Sequence, residues 1–303
     1  LIESEKKRSE QQRNWLIGGV IFILIALGIV AQRFILTRKQ KGIIEQAHVE
    51  LGEKNKEILD SINYAKRIQS AILPPNKVVK EYLTESFILY KPKDIVAGDF
   101  YWLEQKDDKV LFAAADCTGH GVPGAMVSVV CNNGLNRSVR EYGLTDPGEI
   151  LNKTREIVVQ EFEKSEEEVK DGMDISLIRL SAEGKAKWAG ANNPLWIVDK
   201  DANLKEIRGD KQPIGSFQFA EPFTGHDVNL IQGDMFYLFS DGFQDQFGGE
   251  KGKKFKTSNF KKLLCEIHSK DVELQSSRLK TELEKWAGDI EQVDDICVIG
   301  VRV

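Results

Sequence analysis

The stretch AAADCTGHGVPGAMVS, residues 113–128, places an aspartate after a small apolar run and follows it with three glycines and a proline. The apolar run, residues 109–115, predicts a strand that is buried on both faces and ends at Asp116. The glycines permit a tight turn, and Pro123 suits the first turn of a following helix. The stretch therefore predicts a strand, a turn and a helix, with Asp116 as either a helix cap or a group with a chemical function.

Composition narrows the class of protein. The chain has 303 residues, a formal net charge of −5 and 41% hydrophobic residues, which is enough for a substantial core. Because the charge is mildly negative, we expect no nucleic-acid partner. The cysteines lack the short paired spacing of a zinc site or a disulfide framework and favour a reducing compartment; they are Cys117, Cys131, Cys265 and Cys297.

An uncharged apolar segment interrupts the N-terminal region. Residues 15–31 carry no charge, and the next charged residue is Arg33. This length predicts a transmembrane helix over residues 15–35, after a juxtamembrane segment of residues 1–14. A cleaved signal peptide is the alternative, but the apolar region is long and basic residues flank it on both sides. The cysteines favour a cytosolic location for the rest of the chain.

A helical linker is predicted over residues 36–73, where Pro74-Pro75 ends it. Apolar residues recur there every seven positions, at Ile44, Leu51, Ile58, Ala65 and Ile72. The recurrence predicts a parallel coiled coil and hence a homodimer. A second seam is imperfect, so a lone solvated helix is the alternative.

The remaining chain alternates short strands with amphipathic helices. Helices are predicted over residues 123–142, 147–164, 259–268 and 272–286. Strands are predicted over residues 87–90, 100–103, 109–115, 174–180, 185–189, 195–198, 227–231, 235–239 and 296–303. Two helices follow one another between strands, which favours antiparallel sheets with helices packed outside over repeated β-α-β units.

Further aspartates stand at the ends of other apolar runs. They are Asp99 in VAGDFYW, Asp241 in YLFSDGFQD, and Asp294 and Asp295 in QVDDICVIGV. Buried carboxylates need a partner, and these motifs contain no lysine or arginine. Oxygen ligands of this kind bind hard divalent cations, so the pattern predicts a metal site. Independent turn aspartates are the alternative.

Six ordered motifs carry a resemblance to a known family: AGDFYW, DCTGHGVPGAMVS, AGANNPLWIV, GDKQPIGSF, LFSDGFQDQFGG and VDDICVIGVRV. They resemble the motifs of SpoIIE-like protein serine/threonine phosphatases, a bacterial branch of the metal-dependent PPM superfamily, over residues 74–303. The resemblance implies an α+β fold, a four-layer αββα sandwich of two antiparallel sheets flanked by helices. The transmembrane helix and the coiled-coil linker precede it.

The resemblance also implies a centre with two Mn²⁺ or Mg²⁺ ions and a role for each acid. Asp116 resembles the carboxylate that bridges both ions, and the carbonyl of Cys117 resembles a ligand of the second ion. Asp241 and Asp294 resemble the remaining ligands of the first ion. Asp99 resembles the acid that holds a metal-bound water, and with Asp116 it is a predicted catalytic residue.

Other polar residues have two interpretations. Asp174 either approaches a third metal position or starts a strand, and the role of Asp295 stays open. His120 is either a general acid or part of the turn, and its spacing favours the turn. Lys91 and Lys93 either orient the phosphate as point charges or lie on a solvated loop.

The function that the resemblance implies is hydrolysis of phosphoserine or phosphothreonine on a regulatory protein, by a water that two metal ions activate. The resemblance suggests STAS-type antagonists of anti-sigma factors as partners. The apolar segment and the cysteines predict a single-pass protein of the cell inner membrane with its phosphatase domain in the cytoplasm. The N-terminal helix is expected to control activity, with an inert spacer as the alternative. A catalytically silent PPM-fold binding module is the competing function. Residues 248–254 are expected to form a mobile flap beside the site.

Overall fold

The computed structural model describes residues 2–164, 169–181 and 184–303 of the chain. These residues fall into two compact units, Leu1–Ser61 and Ile62–Val303. Position 1 of the predicted juxtamembrane segment lies outside the described residues.

The first unit is helical throughout its described residues and belongs to α1 (Ile2–Ile72). An 18-residue window of this helix has a mean hydropathy of 2.4 and none of it is buried. By length and composition the helix can cross a membrane. The seam residues Ile44, Leu51 and Ile58 are each more than half exposed.

The second unit holds the other regular elements. Its helices are α2 (Asn76–Tyr82), α3 (Gly121–Arg140), α4 (Pro147–Phe162), α5 (Gly242–Asp245), α6 (Thr257–Ile267) and α7 (Val272–Ala287). Its strands are β1 (Ser86–Lys91), β2 (Phe100–Lys106), β3 (Lys109–Cys117), β4 (Met173–Ser181), β5 (Ala186–Ala191), β6 (Leu195–Val198), β7 (Leu204–Ile207), β8 (His226–Val228), β9 (Met235–Phe239), β10 (Phe247–Gly248), β11 (Lys253–Lys254) and β12 (Ile296–Arg302).

Ten of these strands form two five-stranded sheets. One has the order β1-β12-β9-β6-β7 and the other β2-β3-β4-β5-β8, and β10 and β11 form a separate hairpin. Every pair of neighbouring strands is antiparallel. This pairing confirms the predicted antiparallel sheets.

Three apolar clusters separate four layers. The residues between the sheets include Phe112, Trp188 and Phe236. Leu111 and Ala113, on the opposite face of the same strand β3, pack with α3 and α4. A third cluster lies between the β1-β12-β9-β6-β7 sheet and helices α6 and α7. The αββα sandwich is therefore confirmed, and β3 is continuously apolar because both of its faces are buried.

The predicted helices and strands are present with shifts of a few residues at their ends. The elements that the sequence pattern missed are α2, α5, β7 and the β10–β11 hairpin. Each is short, and β7 is an edge strand whose central residues Lys205 and Glu206 are charged. At residues 248–254, where a mobile flap is predicted, the chain forms part of a hairpin of two-residue strands.

The end of α1, residues 62–72, belongs to the second unit and packs within it. Gln69 is buried, and Ile62, Ala65 and Ile72 are partly buried. The two units therefore meet in sequence at residues 61 and 62, whereas the predicted domain boundary is at residues 73 and 74. Two residues of the predicted seam, Ala65 and Ile72, lie on the partly buried side of this segment.

Candidate metal centre

One polar pocket gathers the strand-end aspartates at an edge of the sandwich. Asp116 lies near the end of β3, Asp241 follows β9, and Asp294 precedes β12. The pocket has a volume of about 270 Å³, and its lining residues are Asp116, Cys117, Thr118, Gly119, His120, Met173, Asp174, Pro213, Asp241 and Asp294. The structure thus brings together four of the five residues predicted as metal ligands and adds Asp174.

Close backbone packing shapes the turn after Asp116. Gly119 and Gly121 have φ angles of 81° and 62°, in the left-handed region that favours glycine. A Cβ at Gly98 would lie 2.3 Å from the carbonyl oxygen of Gly119, and one at Gly124 would lie 2.2 Å from the same atom. The loop before Asp99, the turn and the start of α3 can therefore touch only because glycine occupies both contact positions.

Asp99, the fifth predicted ligand, lies behind the pocket and is 2% exposed. Its Oδ2 accepts a hydrogen bond from the Ser240 hydroxyl, and its carbonyl oxygen accepts one from Tyr90 at 3.0 Å. Burial raises the pKa of Asp99 well above its usual range, the charge of Asp116 raises it further, and the Ser240 hydrogen bond opposes the rise. The two carboxylates are therefore electrostatically linked.

The carboxylate of Asp295 accepts hydrogen bonds from the backbone of the loop before Asp99. Its two carboxylate oxygens accept hydrogen bonds from the backbone N–H groups of Lys93 and Gly98, each at 2.7 Å. Its own N–H donates to Oδ1 of Asp294 at 2.8 Å. Asp295 therefore holds the loop that leads to Asp99 against the strand that begins after Asp294.

Desolvation raises the pKa values of Asp116, Asp174 and Asp241, and the charges of neighbouring acids add to the rise at Asp116 and Asp241. Burial raises the pKa of Asp116 well above its usual range, and the charges of Asp241, Asp294 and Asp174 raise it further. Desolvation, followed by the charges of Asp245 and Asp294, raises the pKa of Asp241 to about 6. The pKa of Asp174 is also raised by burial, while a hydrogen bond from an asparagine amide opposes the rise. Such a group of acids needs positive charge to ionise together.

The chemistry of these donors fits hard divalent cations. Within the described ranges, no lysine or arginine forms an ion pair with Asp99, Asp116, Asp174, Asp241 or Asp294. Carboxylate and carbonyl oxygens are the ligands that Mg²⁺ and Mn²⁺ prefer. No three His, Cys, Asp or Glu side chains of the described residues already stand at ligand spacing. The pocket therefore fits a divalent cation in the type of its donor atoms, in its negative charge and in the convergence of its acids.

A short polar chain lies at the rim of the pocket. The Nζ of Lys93 is 2.9 Å from Nε2 of His120, and Nδ1 of His120 is 2.9 Å from Oδ2 of Asp94. His120 lines the pocket, so Lys93 reaches its edge. Lys91 ends β1, and its carbonyl oxygen accepts a hydrogen bond from Gln292 at 2.8 Å.

Sequence reasoning missed two supporting residues. Ser240 directly precedes Asp241, and a polar residue after the apolar run of β9 was a usable signal. Gln69 had no such signal, because its partners Ala97 and Ser128 are 28 and 59 positions away in the chain.

Comparisons with known proteins agree with this architecture. Residues 106–303 match the family described as Stage II sporulation protein E (SpoIIE). The chain is 32% identical to the SiaA-PP2C domain of Pseudomonas aeruginosa, over 82% of this chain and 98% of that one, with a TM-score of 0.75. A structure of the PP2C phosphatase domain and a regulatory fragment of Bacillus subtilis SpoIIE shares the fold, with 19% identity over 72% of this chain and 62% of that one and a TM-score of 0.58.

A curated relative is the phosphoserine phosphatase RsbU of Bacillus subtilis (strain 168), which is 25% identical over 206 residues. The match covers 66% of this chain and 58% of the length of RsbU. With its antiparallel αββα sandwich, its edge pocket of aspartates and these matches, the chain belongs to the SpoIIE family of PPM-type phosphatases.

Proposed function

We propose that the chain is a metal-dependent phosphatase that hydrolyses phosphoserine or phosphothreonine on a protein partner. The observation that carries this proposal is the convergence of acids with raised pKa values in one pocket where they form no ion pair with a described lysine or arginine. A protein gains no stability from such repulsion, so the acids need a function that uses positive charge. The name of the relative RsbU, a phosphoserine phosphatase, supports the same reaction.

PPM phosphatases generally use Mn²⁺ or Mg²⁺, and we infer that two such ions bind here. Asp116 would bridge them, Asp241 and Asp294 would complete the ligands of the first ion, and the carbonyl of Cys117 would bind the second. When bound, the ions supply an activated water and neutralise charge on the phosphoryl group. Asp99, held by Ser240, would orient that water.

Lys93, at the edge of the metal pocket, would supply positive charge to bind the phosphate of the substrate. Lys93 lies within contact of His120 at the pocket edge and would orient the phosphate as a point charge. The hydrogen bond from His120 to Asp94 fixes the imidazole ring, which supports a positioning role for His120 beside Lys93. Lys91 would add a second positive charge at the end of β1.

The N-terminal helix has direct contacts through which it could control this site. The side-chain amide of Gln69 donates to the carbonyl of Ala97 and to the Ser128 hydroxyl, and its oxygen accepts from the Ala97 N–H at 3.1 Å. Ala97 is two residues before Asp99, and Ser128 lies on the helix that follows the Asp116 turn. We infer that movement of the helix end shifts both metal-binding loops.

The same helix supports a membrane location and a dimer. Its apolar window fits one membrane span, and we place the phosphatase domain in the cytoplasm of an inner-membrane protein. The exposed seam residues Ile44, Leu51 and Ile58 would pair with a second copy as a coiled coil. A phosphorylated regulatory protein, such as a STAS-type antagonist of an anti-sigma factor, is the proposed substrate.

The experiment compares Asp116→Asn with the wild-type chain in Mn²⁺, using a small aryl phosphate and a phosphoserine peptide. We expect loss of turnover on both substrates, and an unchanged or higher melting temperature without metal because one repulsive charge is gone. Asp108→Asn, an exposed acid in the β2–β3 turn, is the matched control and should keep full activity. A wild-type protein that turns over neither substrate would favour the competing function, a catalytically silent binding module.

A further inference from the structure

A basic hairpin stands beside the metal centre and has no part in the chemistry described so far. Four of the six positions 251–256 are lysine, in a chain whose formal net charge is −5. Lys251, Lys253, Lys254 and Lys256 are all exposed. Lys254 pairs with Asp245, whereas the other three form no ion pair within the described part of the chain. Residues 247–256 also contain the exposed Glu250, so four lysines stand against one acid and the hairpin presents a net positive charge to its surroundings.

The hairpin is held firmly at its base. The N–H of Gly249 donates to the carbonyl of Trp286 at 2.8 Å, and the indole N–H of Trp286 donates to the carbonyl of Gln246 at 3.1 Å. Phe255 is buried, and its ring meets the ring of Trp286 edge to face at a centroid distance of 5.3 Å. The lysines are therefore carried on an anchored element.

The backbone at Lys256 is unusual for a lysine. Its φ angle is 77°, a region that favours glycine, and its N–H donates to the carbonyl of Gln244 at 2.8 Å. Holding a side chain there costs on the order of 1 kcal/mol or more. The chain keeps a charged side chain at a position where glycine would relieve strain.

The hairpin is joined to the metal-binding edge. Nζ of Lys254 lies 2.6 Å from Oδ2 of Asp245, the last residue of the short helix α5 that starts after Asp241. The N–H of Asp245 donates to the carbonyl of Asp241 at 3.0 Å. The hairpin therefore adjoins the edge of the sandwich at which Asp241 lies.

We propose that residues 247–256 form a docking surface for acidic side chains that flank the phosphorylated residue of a protein substrate. This inference rests on the proposed phosphatase function. The pocket has a volume of about 270 Å³ and lies at an edge of the sandwich, so most of a protein substrate must lie outside it, across its rim. Complementary charge at such a rim raises the rate of encounter and selects partners, and salt weakens both effects.

Exposed lysines can also attract an anionic membrane surface. The position of the hairpin next to the pocket favours the substrate as the occupant, because every productive complex brings the substrate to this edge. Binding to lipid headgroups instead is an outcome that the experiment distinguishes.

The test uses the full chain in phosphatidylcholine nanodiscs with Mn²⁺. One variant combines Lys251→Gln, Lys253→Gln and Lys256→Gln, which leaves the Lys254–Asp245 ion pair intact. The matched control combines Lys77→Gln, Lys270→Gln and Lys280→Gln, which are exposed residues outside the hairpin with the same total change of charge. The substrates are a phosphoserine peptide with acidic flanks, the same peptide with glutamine flanks, and an aryl phosphate.

We expect the hairpin variant to lose about tenfold in kcat/KM on the acidic peptide, mainly through KM, the order expected of three exposed charge pairs. Turnover of the aryl phosphate and of the neutral peptide should change less than twofold, and the control variant should behave as wild type. Added salt should reduce the preference of the wild type for the acidic peptide.

Three results would overturn the inference. One is a wild type that hydrolyses the aryl phosphate but has equal kcat/KM on both peptides, which leaves the phosphatase function standing. Another is an equal loss in the control variant. The third is an effect of the hairpin lysines that arises only in nanodiscs with phosphatidylserine and extends to the aryl phosphate, which would assign the hairpin to the membrane. Failure of the wild type on all three substrates would instead reject the proposed function itself.

Discussion

Ser240, at the end of a strand in one sheet, supports Asp99, which precedes a strand in the other sheet. The Ser240 hydroxyl donates to the Asp99 carboxylate, and its oxygen accepts a hydrogen bond from the N–H of Cys297 at 3.0 Å. Ser240 directly precedes Asp241, so one position ties together two of the proposed metal-binding acids. The hydrogen bond from this hydroxyl opposes the rise in the pKa of the buried Asp99 carboxylate.

We predict that Ser240→Ala raises the pKa of Asp99 further and lowers activity at acidic pH. The acid limb of the pH profile of kcat/KM should move upward by about one pH unit, since a hydrogen bond to a charged group contributes roughly 1.5 kcal/mol or more. The half-saturating Mn²⁺ concentration should rise as well. Ser138→Ala removes a buried hydroxyl that bonds to Gly134 in α3 and to Thr154 in α4, away from Asp99, and it should lower the melting temperature without moving the pH profile. A profile of Ser240→Ala that overlays the wild type would contradict the supporting role.

The raised carboxylate pKa values predict an unusual pH dependence of stability without metal. The pKa of Asp241 is raised to about 6 in the folded protein, above the value of an aspartate in the unfolded chain. At pH values between these two pKa values, the folded protein therefore binds more protons than the unfolded chain. This contribution to stability is fully present below the unfolded pKa and is lost as pH rises through about 6.

The melting temperature in a chelator, measured from pH 5 to pH 8, should therefore fall more steeply in the wild type than in Asp241→Asn. Saturating Mn²⁺ should remove most of this difference, because bound cations favour the ionised carboxylates. Parallel melting curves for the two proteins in the chelator would show that the acids do not repel one another as described.

Gly124 is predicted to tolerate no side chain. A methyl group there would lie 2.2 Å from the backbone oxygen of Gly119, so the turn after Asp116 would have to move. Gly124→Ala should lower the free energy of unfolding by about 1–3 kcal/mol and weaken Mn²⁺ binding. The helical Gly52 has nothing within 4 Å of an added methyl group, so Gly52→Ala should be neutral or slightly stabilising. Thermal melts and Mn²⁺ titrations of both variants test the contrast, and equal results would argue against close packing of the turn.

The helical phase upstream of Gln69 is predicted to set the activity. Inserting one alanine between Glu53 and Ile58 rotates the upstream helix by about 100° against the Gln69 contacts, whereas a full heptad restores the phase to within about 20°. Turnover in nanodiscs should change several-fold with the single insertion and return close to the wild-type value with the heptad. Equal turnover of both insertion variants, with matched oligomeric state, would leave the helix as an inert spacer.

Local patterns were enough to predict much of the architecture. The apolar run before Asp116 is continuous because β3 is covered on both faces, and the paired helices between strands indicated antiparallel sheets with helices outside. The strand-end positions of Asp116, Asp241 and Asp294 also predicted that they would meet, because strand ends collect at the edges of sheets.

The parts that were missed depend on tertiary contacts. The β10–β11 hairpin has no apolar pattern of its own and is fixed by Trp286, about forty positions along the chain. The seven-residue recurrence in the linker predicted a partner helix for Ala65 and Ile72, yet both lie on the partly buried side of the second unit. A periodic apolar face predicts that one side of the helix is buried. It does not predict whether a second helix or the folded domain covers that side.

The three hydrogen bonds of Gln69 also define where the N-terminal part of this protein can be exchanged for that of another protein. They lie wholly within residues 62–303, so replacing the sequence before residue 62 leaves each of them in place if the helix continues in the same phase. A cut at Pro74 would instead strip the partner from Ala97 and Ser128. Chimaeras joined at residue 61 should therefore keep an intact catalytic module under a foreign input, and those joined at residue 74 should lose the link through which any input is transmitted.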